Sequence, residues 1–149
     1  MLEAGIVGLL CSSPLLPNVV ARIAWLEELA QAGSEFSLSN LTDFAVRREL
    51  LRLRVPTKLR RLDDLHCLVG VISIDFHTWS KAAEFRAIAR QAGQPTAAPD
   101  ALDGDAILAA DASTMIQPGD SATIATTNPG HLGRLPGIDA HRWKDISTK

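Results

Sequence analysis

The sequence predicts an α/β protein layered around parallel strands. Two observations carry this. Segments with helical spacing of apolar residues alternate with short β-branched segments, and the alternation runs through the 149 residues without an internal repeat, long linker or low-complexity tract. A single domain over residues 1–149 is the expectation.

The elements follow in order. Asn18 to Ala32 sets Val19, Ile23, Leu26 and Leu29 on one face and is closed by Gly33, an amphipathic helix. Glu35 to Ser39 alternates polar and apolar residues, a short strand. Thr42 caps a helix through Val46, Leu50 and Leu53, stopped by Pro56. Thr57 to Leu68 is helical, with Leu59, Leu62 and Leu65 three apart. Val69 to Ile74 reads as a buried strand from its β-branched content. Asp75 or Thr78 caps a long helix to Ala92, closed by Gly93. Gln94 to Asp100 is a Pro/Ala loop, an acidic helix follows, and Ala122 to Thr127 is the last strand.

Composition narrows the class. Hydrophobic content of 46% and charged content of 21% are those of a globular protein with a sizeable core. A net charge of −2 exerts no global pull on nucleic acid, so such binding needs a local patch. Cys11 and Cys67 match no metal or redox spacing and are expected as buried free thiols in a reducing compartment. No apolar run reaches the roughly 18 residues of a membrane span, and no signal-peptide pattern opens the chain. A cytoplasmic protein that does not engage a membrane is expected.

The run Leu102-Asp103-Gly104-Asp105-Ala106-Ile107-Leu108-Ala109-Ala110-Asp111-Ala112 is the most informative for chemistry. Asp103 and Asp105 open an apolar stretch with helical spacing, which places them in the first turn of a buried helix. There the helix dipole and unpaired N–H groups favour negative charge. Two neighbouring carboxylates repel, and a divalent cation among oxygen ligands relieves them. The plainer reading makes one aspartate the N-cap and the other a complement to the dipole. Ala125-Thr126-Thr127-Asn128, a β-type run ending in a side-chain amide, favours the cation: a metal site at the carboxyl edge of a parallel sheet.

These pieces, in this order, resemble the PIN-domain nucleases, especially the VapC-like toxins of toxin–antitoxin pairs. The resemblance spans nearly the whole chain. It is carried by Ser39-Asn40-Leu41-Thr42-Asp43-Phe44-Ala45-Val46-Arg47-Arg48-Glu49-Leu50-Leu51-Arg52, by Leu102 to Ala110, and by Ala125-Thr126-Thr127-Asn128-Pro129-Gly130-His131-Leu132. It implies a three-layer α/β/α sandwich with a central parallel sheet. It further implies RNA cleavage by a water activated on Mg²⁺ or Mn²⁺, because carboxylates cancel the metal's charge only in part.

Carried over residue by residue, the implied site departs from the family. Leu2-Glu3-Ala4-Gly5 stands where the first strand ends in Asp, so Glu3 replaces it, and the short stretch ahead of it implies a truncated first strand. The Ser-x-x-Thr-x-x-Glu pattern is Ser39, Thr42 and Ala45, with alanine for the acid. Asp105 matches the third acid, Asp103 is its neighbour, and Asn128 takes the fourth position as a neutral ligand. Misplacement of a catalytic group by about 1 Å costs on the order of 10²-fold in rate.

Arg47, Arg48, Arg52, Arg54, Lys58, Arg60 and Arg61 form the one basic concentration. They read either as a track for an RNA backbone or as a solvated face paired with Glu49, Asp63 and Asp64. His131 follows the last strand, within reach of a phosphate or metal, or simply exposed. Trp25, Trp79 and Trp143 read as packing residues rather than a base-stacking platform. A phosphoacceptor role for Asp75 fails, since no acidic pair follows a first strand and no Lys-Pro follows the last.

Two functions follow. The first is a metal-dependent ribonuclease of a toxin–antitoxin system, with Glu3 and Asp105 catalytic and Glu3, Asp103, Asp105 and Asn128 holding Mg²⁺ or Mn²⁺. The second is a weakened domain that binds RNA or an antitoxin protein. A homodimer is expected in either.

Overall fold

The computed structural model describes residues 1–92, 99–117 and 120–147. The chain is α/β and rich in helix. Its elements are α1 (Ala4–Leu10), α2 (Pro17–Gln31), β1 (Ser37–Ser39), α3 (Asn40–Arg52), α4 (Pro56–Leu68), β2 (Gly70–Ile72), α5 (Phe76–Gln91), α6 (Pro99–Thr114), β3 (Thr123–Thr126), α7 (Pro129–Leu132), β4 (Asp139–Arg142) and a closing 3₁₀ turn (Trp143–Asp145).

Local chemistry sets the helix ends. After α2, the N–H of Gly33 (φ +89°) donates to Ala30 and that of Ser34 to Leu29, a Schellman close that needs a left-handed residue. The same pattern ends α3, where Arg54 (φ +53°) occupies the left-handed position, at a cost that glycine would not incur. Pro56 then opens α4, where its missing N–H loses no bond. Asp75 caps α5 by accepting from the N–H of Thr78 at 2.8 Å. The cap of α3 is Ser39 rather than Thr42: its hydroxyl accepts from the N–H of Leu41. Thr42 is buried instead, donating to the carbonyl of Leu2 at 3.4 Å.

Every strand pairing is parallel, as expected, but one central sheet between helix layers is not what forms. β1 pairs with β2, and β3 with β4, as two separate two-stranded sheets. The segment Met1–Glu3 lies between them. Leu2 donates to Ser37 on one side, while Glu3 donates to Ala125 and Ala125 to Met1 on the other, leaving an isolated parallel bridge at Leu2 and Ala125. The strands are three or four residues long.

Two apolar clusters fill the interior. One joins α5, α6, β3 and α7 through Phe85, Leu108, Ala109, Ile124 and Leu132. The other joins α1, α2, α3, α4 and β1 through Leu2, Ile6, Val7, Trp25, Leu29, Leu38, Leu50 and Leu62. The strand expected to be buried at Val69–Ile74 is an edge instead, with Gly70 and Val71 exposed. Cys11 is buried as expected, but Cys67 is exposed. The expected loop at Gln94–Asp100 falls largely outside the described residues, and its last two residues already belong to α6.

Candidate functional site

Glu3, Asp105 and His131 meet where α1, α6 and α7 approach the end of β3. Glu3 caps α1: Oε1 accepts from the N–H of Gly5 at 2.9 Å. Its Oε2 faces the Thr126 hydroxyl at 3.3 Å and the Thr127 N–H and hydroxyl at 3.4 and 3.5 Å. A Cβ at Gly5 would lie 2.7 Å from Thr127 Oγ1 and 2.9 Å from Glu3 Oε2, so any larger residue would displace these side chains. Asp105 enters from α6 with Oδ2 3.5 Å from His131 Nδ1. Burial raises the Asp105 pKa; His131 opposes that rise, and the nearby charge of Glu3 adds to it.

One predicted ligand, Asp103, is engaged elsewhere. Asp103 pairs with Arg86 of α5. Since α6 begins at Pro99, Asp103 and Asp105 lie beyond the first turn, where the dipole has little hold on them. Asn128 precedes α7, and its N–H donates to Thr126 Oγ1 at 3.0 Å. Asp43, two residues before Ala45, is held by Arg47 and lies 2.9 Å from His66 Nε2. Among the described residues no three His, Cys, Asp or Glu side chains are arranged to hold a metal ion. Of the ligands expected for Mg²⁺ or Mn²⁺, Glu3 and Asp105 lie near one another, whereas Asp103 is held by Arg86.

The basic run is largely committed to its own chain. Arg47 spans Asp43 and Asp63 at 3.0 and 2.8 Å, and Arg52 pairs with Glu49. Lys58 donates to Ser12 Oγ, and Arg61 to the carbonyl of Cys11. This is the paired-face reading, although Asp64 takes no part in it. Trp25 packs edge-on against Phe36 and Trp143, whereas Trp79 is exposed.

Two features escaped the sequence reading. Asp111 of α6 is buried at 1% exposure, and among the described residues neither carboxylate oxygen has a hydrogen-bond partner within normal reach. Burial raises its pKa, the Ser39 hydroxyl opposes this, and Asp75 reinforces it. The second feature is an open groove of about 470 Å³ between α2 and α4, lined by Leu10, Ile23, Leu26, Phe36, Leu65 and Leu68, among others. α2 and the Leu16 that precedes it are apolar on two faces, and Ile23 of the outer face lines the groove. Val19, Trp25 and Leu29 enter the core, while Leu16, Val20 and Ile23 stay 45%, 51% and 37% exposed. Ile23, expected on the core face, belongs to this second stripe. Leu68, across the groove on α4, is 82% exposed.

No family profile and no curated relative matches the sequence. Solved structures do match. VapBC2 from Rickettsia felis, bound to a DNA fragment from their promoter, aligns over 96% of this chain and 97% of the matched chain, with TM-score 0.70 and 15% identity. FitAcB from Neisseria gonorrhoeae aligns over 97% and 98%, with TM-score 0.70 and 19% identity. At such identities the likeness is one of fold. The resemblance to PIN-domain, VapC-like toxin nucleases is corrected by these findings: both neighbours are antitoxin–toxin complexes, and their fold does not carry nuclease membership to this chain.

Proposed function

We propose that this chain is one member of a toxin–antitoxin pair and acts by binding its partner protein. The observation that carries the reading is the open apolar groove between α2 and α4. A second apolar stripe on α2 has no role in the core, and exposed apolar surface of this kind marks docking sites. The fold is shared with chains of VapBC2 and FitAcB, both two-component complexes. The acid cluster supports the same reading from the other side, since Glu3 is engaged as a helix cap and Asp103 with Arg86.

The test is co-expression with the protein encoded beside this chain, followed by size-exclusion chromatography. A stable complex is expected, and Leu68→Asp or Ile23→Asp should dissolve it; Leu68→Asp should leave the melting curve of the chain alone nearly unchanged, because Leu68 is 82% exposed. Failure to form a complex, or a complex indifferent to both substitutions, overturns the proposal.

A further inference from the structure

A second set of oxygen atoms lies buried where the end of β1 meets α6. Asp111 of α6 is 1% exposed, and among the described residues neither of its oxygens has a hydrogen-bond partner. The charged neighbour that acts on it is another acid, Asp75 at the start of α5, so repulsion adds to the desolvation that opposes its charge. Ser39 at the end of β1 is fully buried. Its hydroxyl is close enough to favour the charged form of Asp111, yet the two make no regular hydrogen bond.

The protons nearby are too few for the carboxylate. One turn along α6, the Thr114 hydroxyl donates to the Asp111 carbonyl at 3.1 Å, which leaves the Thr78 hydroxyl of α5 to donate to Thr114 across 3.2 Å. Asp75 itself accepts, from the N–H of Thr78. The Ser39 oxygen accepts from the N–H of Leu41, and its single proton can serve one Asp111 oxygen at most. What stays unused at this junction of β1, α5 and α6 is oxygen lone pairs, and oxygen acceptors without donors suit a hard cation. The charge balance selects its valence. One buried carboxylate is neutralised by one positive charge, since Asp75 is exposed to water and already caps α5. A divalent ion calls for more carboxylates, and among the described residues no three His, Cys, Asp or Glu side chains come together.

We infer that Asp111 anchors an alkali cation, with the Ser39 hydroxyl and the Thr78–Thr114 hydroxyl pair as its neutral oxygen ligands. The ion ties the end of β1 to α5 and α6 and offsets part of the cost of burying the carboxylate.

The experiment is thermal unfolding of the intact chain at pH 7 in NaCl, KCl or tetramethylammonium chloride at equal ionic strength, the last cation being too large for such a site. If the site half-fills at about 50 mM, about 500 mM of the alkali salt favours the folded state about elevenfold and raises the melting temperature by about 3–6 °C over the tetramethylammonium salt. Asp111→Asn, confirmed folded by circular dichroism, should lose this gain, and Thr114→Val, which keeps the shape but not the oxygen, should reduce it. In ²³Na magnetic resonance the natural chain should broaden the sodium line and Asp111→Asn should not. Equal melting in the three salts, or a gain that Asp111→Asn keeps in full, overturns the inference.

Discussion

Asp111→Asn isolates a buried carboxylate with no hydrogen-bond partner among the described residues. The carboxylate is buried among Ala-rich turns of α6, with neither oxygen hydrogen-bonded, and its charged form is disfavoured first by desolvation. A pKa raised in the folded state means that Asp111 contributes most to stability below its unfolded value of about 4. That contribution is lost as pH rises through the folded value, so at neutral pH the residue weighs against folding. Asparagine keeps the shape and removes the ionisation. Its amide must still find acceptors, and the Ser39 hydroxyl is beside it. Taking the extra desolvation cost of the buried charge over a neutral amide as about 2 kcal/mol, the variant should melt about 4–8 °C higher at pH 7 for a chain of this size. The assay is thermal unfolding of both proteins across pH 4–8. The gap should be small or inverted near pH 4 and widen towards neutrality. A variant that is less stable at pH 7, or a gap that does not change with pH, would refute the reasoning and mean that the carboxylate is satisfied in the native state.

Two further outcomes follow from the acid cluster. Gly5→Ala should destabilise by about 1–3 kcal/mol in chemical denaturation, because its Cβ would press on Thr127; adding Thr127→Ala should recover most of the loss, and no recovery would place the strain elsewhere. Millimolar Mn²⁺ should shift the melting temperature by less than about 1 °C, since a site with Kd above about 10 mM adds under about 0.1 kcal/mol at 1 mM ligand; a rise of several degrees that Asp105→Asn abolishes would show that Glu3 and Asp105 do close on a cation.

What the sequence disclosed was mostly what single residues dictate. Gly33 closes α2 because its left-handed backbone suits glycine, and Pro56 separates α3 from α4 because proline cannot continue a helix but can begin one. The same property of proline misled at Pro99, where a Pro/Ala stretch read as a loop is in part the first turn of α6, and that shift carried Asp103 and Asp105 away from the helix start. β4 was not recognised because Asp139-Ala140-His141-Arg142 has no β-branched residue; its place beside β3 is set by tertiary pairing. Val69–Ile74 was read as buried because β-branching signals a strand but does not say whether both its faces are covered.

The groove was illegible for a related reason. Helical periodicity reports that α2 is amphipathic but does not choose between two apolar stripes when both are present, so Ile23 was placed on the face that Val19 and Leu29 define. Only the position of α4, which brings Leu65 and Leu68 opposite, separates a packed stripe from an unpacked one. The candidate acid site reverses that relation. Its side chains are legible in the sequence, yet in the fold Glu3 caps a helix and faces Thr126 and Thr127, Asp103 holds Arg86, and Asp105 lies against His131. Groups so engaged must break native contacts before they can serve a ligand. The side chains of Leu68 and Ile23 have no hydrogen bond or ion pair to break, and covering them removes carbon surface from water, which is favourable in itself. The difference in what must be undone is why the groove, rather than the acids, carries the functional reading.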